Sequence, residues 1–459
     1  MNIEPSIFKA YDIRGVYPTH LNEETAYAIG RGFATLMIQE NQGRQLTVGV
    51  SDDMRSSSPS LKKEVIHGIT DTGVNVLDMG MLSSGGYYFG VSHFNLDGGI
   101  EVTASHNSKE YNGFKIVRAR SVAMGGKTGI QHIHEIISKD LFLPIAEKKG
   151  EVEAREGVTE LSIEEFIKFS PLGEIRPLKV VIDPANAMGI VDFDALLPKM
   201  PNLEVIKMNY ELDGTFPNHE ADPSKPENRV DICAKVVETG ADLGITTDGD
   251  DDRIFLIDEK GEVIPSSILY TLMARIEHEE YPGETLAYEI RLGNLIKEEF
   301  PDVKLVQTPV GHSLIKGEML KHNALFGGEI SGHYFFRLPW GTYEAPMLLT
   351  MKFLTWLSKQ DKPLSELIAP LKRYISSGEI NEKVATRLEV DKIIATIREK
   401  YKDGDEITID GVKVSYPEYW FSVRASNTEP LIRLIVEAKD RAVMESKRDE
   451  LMAVIKGQV

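Results

Sequence analysis

Short apolar runs that end in acidic turns recur along this chain, and amphipathic runs of helical period separate them. The clearest are LTVGVSDD at 46–53, LKVVIDPAN at 178–186 and LGITTDGD at 243–250. Residues 24–40 and 60–72 carry the helical period around the first of these. Such alternation builds βαβ units on a parallel or mixed sheet and disfavours all-helical or all-β architectures. The three strand-turn units resemble one another without establishing an internal duplication. With 459 residues there is room for three or four such domains.

Charge and cysteine content remove several functional classes. The chain carries 52 basic and 71 acidic residues, a net charge of −19, which disfavours nucleic acid or an anionic membrane as the principal partner. An anionic ligand then requires basic groups gathered locally. Cys233 is the only cysteine, so intrachain disulfides and cysteine-cluster zinc sites are excluded; in the helix-like DICAKVVETG it reads as a buried structural thiol. The N-terminal MNIEPSIFKAYDIRG lacks the basic start and apolar core of a signal peptide. The most apolar window, 345–357, is short and contains Thr350 and Lys352. The expectation is a cytoplasmic protein.

Several motifs carry chemistry. TASHNSKEYNGFK, 103–115, follows the alternating run Ile100–Val102 and offers the hydroxyl of Ser105 beside an imidazole and two amides, with the ammonium of Lys115 ten residues on. Strand-to-loop transitions of this kind collect active groups in α/β proteins, although Ser-His-Asn clusters also form ordinary turns. In DGDDDR, Asp248, Asp250 and Asp252 alternate, so that an extended loop presents three hard oxygen donors to one divalent cation, with Arg253 alongside. An EF-hand is rejected because Arg253 occupies its obligatory glycine position and the flanks are strand-like. An Asp-x-Asp phosphatase is a stronger rival, but it leaves Ser105 unexplained.

Basic groups gather in the remaining motifs. FKAYDIRG brings Tyr11 and Arg14; TPVGHSLIK brings His312; GGEISGHYFF brings Glu329, Ser331 and His333, suited to vicinal hydroxyls; RASNTEP brings Arg424, Ser426, Asn427 and Thr428, a set suited to a phosphate. The last two histidine motifs read as loops. SDDMRSSSPS reads as a helix-cap region containing Arg55. SVAMGGKT imitates a P-loop but has Ser121 in place of the first glycine. Residues 146–160, charged and glycine-punctuated, read as a linker, and a break near 363–379 as the last boundary. Beyond it, runs such as YWFSVRAS and PLIRLIVEA read as a small antiparallel sheet packed on helices.

FKAYDIRG, TASHN with NGFK, DGDDDR, GEISGH and RASNTEP, in this order across nearly the whole chain, resemble the α-D-phosphohexomutase family and its phosphomannomutase/phosphoglucomutase branch. The resemblance implies three similar mixed-sheet α/β domains and a smaller C-terminal α+β domain with an antiparallel sheet. The corresponding sections are 1–150, bearing a phosphoserine; 151–255, binding metal; 256–368, recognising sugar; and 369–459, clamping phosphate. It places the phosphoserine on Ser105 and Mg²⁺ on Ser105, Asp248, Asp250 and Asp252. Sugar and phosphate contacts fall on Tyr11, Glu329, Ser331, His333, Arg424, Ser426, Asn427 and Thr428. Arg14, Lys115, Arg253 and His312 fall among the catalytic groups, Lys115 and His312 as proton carriers and His106 as a residue that shapes the loop.

The implied reaction interconverts hexose 1-phosphate and hexose 6-phosphate, of mannose or glucose, through a hexose 1,6-bisphosphate, with a hinge near 365–380. The expected partner is a small sugar phosphate, and the expected state a monomer or weak homodimer. A mutase for amino-sugar phosphates and a Mg²⁺-dependent sugar phosphatase are the alternatives, although the isoleucine of GEISGH suits a hexose. Three positions depart from the family pattern: Ser108 replaces a proline, Asp251 a common glycine, and WGTYEAPM, 340–347, a more usual acidic-glycine segment near the sugar site.

Overall fold

The computed structural model describes residues 3–42, 44–384, 386–425 and 431–457. Each of the first three sections is a mixed sheet with helices, and the last is antiparallel. In the first sheet the strands run Ile13–Val16, Tyr111–Arg118, Gly98–Val102, Thr47–Asp52, Asn75–Met81 and Val152–Ala154, with Val122–Ala123 paired to Tyr111–Arg118. The centre is parallel, and Tyr111–Arg118 is antiparallel to both of its neighbours on the main path. The helix Glu23–Glu40 begins at Asn22, whose side chain accepts from Thr25 N, and its first turn holds Glu23 and Glu24. Both features complement the exposed N–H groups of a helix start.

Gly98–Val102 is buried throughout, Glu101 included. The alternation that marked it as a strand therefore does not separate a core face from a solvent face, because layers cover both sides.

The second sheet orders Ile254–Asp258, Leu243–Thr247, Leu178–Asp183 and Leu203–Lys207, parallel except for its first pair. The third orders Leu305–Thr308, Leu286–Glu289, Phe326–Gly328, Tyr334–Arg337 and Thr342–Glu344. In the C-terminal sheet Leu431–Ala438, Tyr419–Ala425, Val412–Ser415 and Asp405–Ile407 lie in sequence, antiparallel, with Ile375–Ser376 and Ile380–Lys383 on the outer side of Leu431–Ala438.

One apolar core continues through the first three sections, from Tyr87 and Phe89 through Val180 and Phe193 to Tyr288 and Leu348. The C-terminal section has a separate core around Val390, Phe421, Leu434 and Leu451. Its junction with the third section combines ion pairs with the buried indole of Trp420, which lies against Gly293. Arg291 holds Glu289 and Glu379, while Lys413 donates to the carbonyl of Ile290 at 3.1 Å. A separate core joined by ion pairs is the construction expected of a unit that moves as a body.

Some local readings change. TPVGHSLIK is a strand followed by a helix, His312–His322, that begins at His312 itself. GGEISGHYFF keeps a loop at residues 329–332, which is the tip of a hairpin from Phe326–Gly328 to Tyr334–Arg337. Within 146–160 the chain is not a free tether: Val152–Ala154 pairs in parallel with Asn75–Met81, and a helix begins at Val158. Gly126–Thr128 is a single turn with Lys127 exposed, unlike a phosphate-binding loop. Cys233 is half-buried, and burial raises its thiol pKa. No helix among the described residues is long and apolar enough to cross a membrane.

Candidate active site

Ser105 sits at the end of the central strand Gly98–Val102 with a left-handed backbone, φ 51°, and is buried. Its Oγ donates to Asp248 Oδ2 at 3.0 Å and lies 3.1 Å from His106 Nδ1. The loop around it is held from below by Arg55. Buried and paired with Asp53 at 3.1 Å, that guanidinium donates to the carbonyls of Ser105, Asn107, Ser108 and Tyr111. Arg55 thus shapes the loop from inside and is not free to hold a phosphate. Nor is the segment an ordinary cap, since Ser57 makes no side-chain cap bond and Ser58 Oγ donates to Asp53. From the edge strand Ile13–Val16, Arg14 pairs with Asp12 at 2.7 Å and donates to the side-chain oxygen of Asn107.

The acidic motif occupies the turn between Leu243–Thr247 and Ile254–Asp258. Its three carboxylates do converge, with oxygens of Asp248, Asp250 and Asp252 within 4.8 Å of one another, all buried. They converge through a turn and not along an extended loop. Asp251 is left-handed, φ 55°, a conformation that favours the glycine it replaces. Burial, the Asp192 carboxylate and a hydrogen bond to it raise its carboxyl pKa well above the ordinary range.

Burial and repulsion from Asp252 and Asp250 likewise raise Asp248. Burial opposes charge on Asp252 too, but Lys115 and His333 hold it well below the ordinary range. Asp250 Oδ1 is buried without a hydrogen-bond partner among the described residues. Hard carboxylate oxygens, two of them (Asp250 Oδ1 and Asp252 Oδ1) without a hydrogen-bond partner among the described residues, beside a serine hydroxyl fit Mg²⁺.

Lys115 lies on these aspartates and not on Ser105. Its Nζ is 2.5 Å from both Asp250 Oδ2 and Asp252 Oδ2, and it donates to Ser84 Oγ at 2.7 Å. Burial works against its charge, and the two carboxylates more than reverse that, raising its pKa well above the lysine range. Ser84 Oγ also lies 2.8 Å from Asp250 Oδ2 and 2.7 Å from Glu101 Oε2, and its single proton serves one of the two at a time. Sequence reasoning missed Ser84 and Glu101. Nothing local marks them; burial against the aspartate loop does.

The sugar-motif hairpin is joined to the metal turn by backbone. Arg253 pairs with His333 as an antiparallel bridge, and Ile254 N donates to Gly332 O at 3.0 Å. His333 stands between Asp252 and Glu329, 3.1 Å from each. Burial lowers the imidazole pKa, but the two carboxylates push it up to about 9. Glu329 accepts from Gly311 N at 2.8 Å, and Ser331 Oγ is 2.8 Å from His333 Nδ1. His312 faces the edge of Tyr11 and stacks at 6.1 Å on His333; burial lowers its pKa, favouring the neutral ring. Tyr11 donates to Val310 O at 2.9 Å. Burial, Arg253 and Arg14 lower His106 well below the histidine range.

Arg424 lies one residue before the end of the strand Tyr419–Ala425, buried, 3.7 Å from Glu379. Glu379 also holds Arg291 and Arg433, and Arg291 reaches Glu289, which accepts from Ile330 N in the sugar hairpin. A chain of charge therefore connects Arg424 to that hairpin. Ser426, Asn427 and Thr428 lie outside the described residues.

A buried serine on a carboxylate turn, ringed by Lys115, Arg253 and two histidines, is the constitution of a metal-assisted phosphoryl-transfer centre. Four family models match the chain in order. Phosphoglucomutase/phosphomannomutase alpha/beta/alpha domains I, II and III match residues 5–143, 162–261 and 265–374, and the C-terminal domain matches 379–454. A phosphomannomutase of Vibrio cholerae is 36% identical over 465 residues, covering 99% of each chain. A phosphomannomutase/phosphoglucomutase of Pseudomonas syringae pv. tomato is 37% identical over 449 residues, covering 96% of this chain and 93% of its own. A crystal structure of a family protein from Burkholderia thailandensis superposes with a TM-score of 0.88 at 31% identity, covering 99% of this chain and 98% of its own. The chain belongs to the phosphoglucomutase/phosphomannomutase family.

Proposed function

We propose that the protein interconverts hexose 1-phosphate and hexose 6-phosphate, with mannose or glucose as the sugar, using phosphorylated Ser105 as the carrier. The observation that carries this reading is the convergence of Ser105 Oγ on Asp248 at 3.0 Å within the turn that gathers Asp250 and Asp252. Ser105, Asp248, Asp250 and Asp252 would hold Mg²⁺, which when bound offsets charge on a transferring phosphoryl group.

The chain's own groups supply the rest. A sugar hydroxyl attacks the phosphorus carried on Ser105; the bond from phosphorus to Oγ breaks, and the hydroxyl proton passes to neutral His312. Arg253, 3.6 Å from the Asp248 carboxylate that holds Ser105, places fixed positive charge beside the serine without reorganisation, and Lys115 offsets the charge of Asp250 and Asp252. Arg14 steadies the serine loop through Asn107. Glu329, Ser331 and His333 hold sugar hydroxyls, with Tyr11 closing their side. Arg424, with Ser426, Asn427 and Thr428, holds the phosphate that is not reacting. The hexose 1,6-bisphosphate then turns over and returns its other phosphate to Ser105. That step requires the clamp to loosen without losing the intermediate.

The four sections 1–150, 151–255, 256–368 and 369–459 divide these tasks, and the swing point lies within 365–380. Ser365 is fixed to Glu259, Leu371 is buried and Ile375–Ser376 already pairs in the C-terminal sheet, which leaves residues 372–374 for the hinge. A cytoplasmic monomer or weak homodimer accords with substrates of this kind.

The test is incubation with mannose 1-phosphate or glucose 1-phosphate, Mg²⁺ and a trace of the bisphosphate. The 6-phosphate is expected; free phosphate in its place would identify a phosphohydrolase. Parallel rates on an amino-sugar phosphate rank the remaining alternative.

A further inference from the structure

Asp410 stands in the turn that joins the strands Asp405–Ile407 and Val412–Ser415 of the C-terminal section, half-buried. Its Oδ2 accepts from Val310 N of the third section at 3.1 Å. That bond falls on the loop between the strand Leu305–Thr308 and the helix His312–His322. The next peptide of the loop is held at both ends by groups assigned to the sugar. Tyr11 donates to Val310 O at 2.9 Å, and Glu329 accepts from Gly311 N at 2.8 Å. Gly311 packs so closely on Tyr11 that a Cβ there would stand 2.6 Å from its ring. Other polar contacts across the same junction fall elsewhere, on Ile290, Arg291, Asn294 and Lys297.

Two features suit a carboxylate to this place. Gly311, the N-cap of the helix, has no side chain to offer, and the N–H groups of Val310 and Gly311 take their acceptors from carboxylates of other elements, where the positive end of the helix favours negative charge. On its own side, Asp410 is tied to the phosphate clamp. Val412 pairs with Val423 on the neighbouring strand, and a Cβ on Gly411 would stand 2.7 Å from Arg424 Cα. Whatever moves Arg424 therefore moves Asp410 with it.

We propose that Asp410 is a positioning residue that fixes residues 309–311 against Tyr11 and Glu329 when the phosphate clamp is seated, so that one movement brings Arg424 to a phosphate and sets the groups that hold the sugar. This rests on the mutase reading. Asp410 acts through the Val310 and Gly311 peptides and not on the sugar itself. When the bisphosphate turns over, the clamp loosens and this bond opens with it; its re-forming secures the turned intermediate for the second transfer.

The full chain is assayed with glucose 1-phosphate, Mg²⁺ and a trace of glucose 1,6-bisphosphate. Asp410→Ala is expected to raise KM about tenfold, the worth of one hydrogen bond to a charged acceptor, with kcat changed less than about threefold. Bisphosphate released per turnover is expected to rise at least about threefold. Asp410→Asn keeps an acceptor oxygen and is expected to recover most of the loss. Asp405→Ala, which removes an exposed acid facing Lys297 across the same junction, is expected to match the wild type. Unchanged KM and bisphosphate release in Asp410→Ala, or equal changes in Asp405→Ala, would overturn the proposal. Should Asp410→Ala fail to fold, Asp410→Ser keeps turn chemistry with an oxygen one bond too short to reach Val310, and it is read in the same way. Hydrogen exchange of the Val310 amide, followed by mass spectrometry on peptides that span it, needs no turnover. Exchange at least about tenfold faster in Asp410→Ala is expected, and an unchanged rate overturns the assignment. Inactivity of the wild-type protein would count against the mutase reading, while Val310 exchange still decides whether Asp410 holds the loop.

Discussion

Asp248 and Ser105, separated by 143 residues in sequence, meet at 3.0 Å between a carboxylate and a hydroxyl. Each ends a strand of a different sheet, so the contact exists only when the first and second sections are docked. The apolar core that they share fixes that docking.

Ser105→Ala removes the carrier oxygen and little else, because the loop is held by backbone carbonyls on Arg55 and not by the serine side chain. Mutase turnover is expected to fall at least about 1,000-fold with the melting temperature nearly unchanged. A coupled assay for the 6-phosphate beside a thermal melt checks both. Substantial remaining turnover would remove Ser105 from the mechanism.

Gly249 lets the two loops approach. A Cβ at that position would stand 2.3 Å from the carbonyl oxygen of Ser105, a backbone atom that cannot swing away. Gly249→Ala is therefore expected to push the serine from the aspartates and lower kcat about 100-fold, the scale of a misplacement near 1 Å. Gly317, in a helix with nothing within 4 Å of its Cβ position, is the control. Gly317→Ala should keep activity and gain a few tenths of a kcal/mol of stability.

Asp250→Asn leaves the turn its shape and takes one carboxylate from the cluster. It also removes one of the two acids on Lys115. Activity is expected to fall, and half-saturation by Mg²⁺ to rise at least about tenfold. An unchanged Mg²⁺ titration would count against these aspartates as the cation site.

What the sequence disclosed was chemistry carried by side-chain type within a short span. The alternating aspartates, the serine-histidine-asparagine turn and the acid-serine-histidine hairpin each name a function locally, and their order along the chain made them mutually consistent. The strand-and-helix alternation disclosed the fold for the same reason, since hydrophobic period is a local property.

Residues whose role comes only from burial were not legible. Arg55 in a serine-rich run looks like a helix entrance, yet it supports the Ser105 loop from within. Ser84, Glu101, Lys316 and Glu344 occupy ordinary positions on strands and helices and become polar partners only when the elements that carry them pack together. Alternation in DGDDDR pointed to three carboxylates that do converge, but by the wrong path. The turn brings them together, while Asp251 looks away towards Asp192.

Glu437 offers a pH test remote from the reacting groups. It lies buried on the strand Leu431–Ala438, where its Oε2 accepts from Trp420 Nε1 at 2.9 Å, and burial pushes its carboxyl up to about 7. Below pH about 4.5 the group is protonated both folded and unfolded and contributes no pH dependence. Between about 4.5 and 7 the unfolded chain releases the proton and the folded chain keeps it, so stability falls as pH rises; above about 7 the loss is constant. A displacement of that size corresponds to something on the order of 3 kcal/mol. Lys413, also buried and 4.3 Å from the Trp420 ring, is pulled down to about 7 by burial and acts with the opposite slope, adding stability as pH rises above 7. Glu437→Gln keeps an oxygen for Trp420 and removes the titration. The variant is expected to melt higher than the wild type at pH 8, to match it near pH 4, and to lack the decline between. Melting curves across pH 4–8 read this directly, and a wild-type protein whose stability rises between pH 5 and 7 only when Glu437 is present would reverse the assignment.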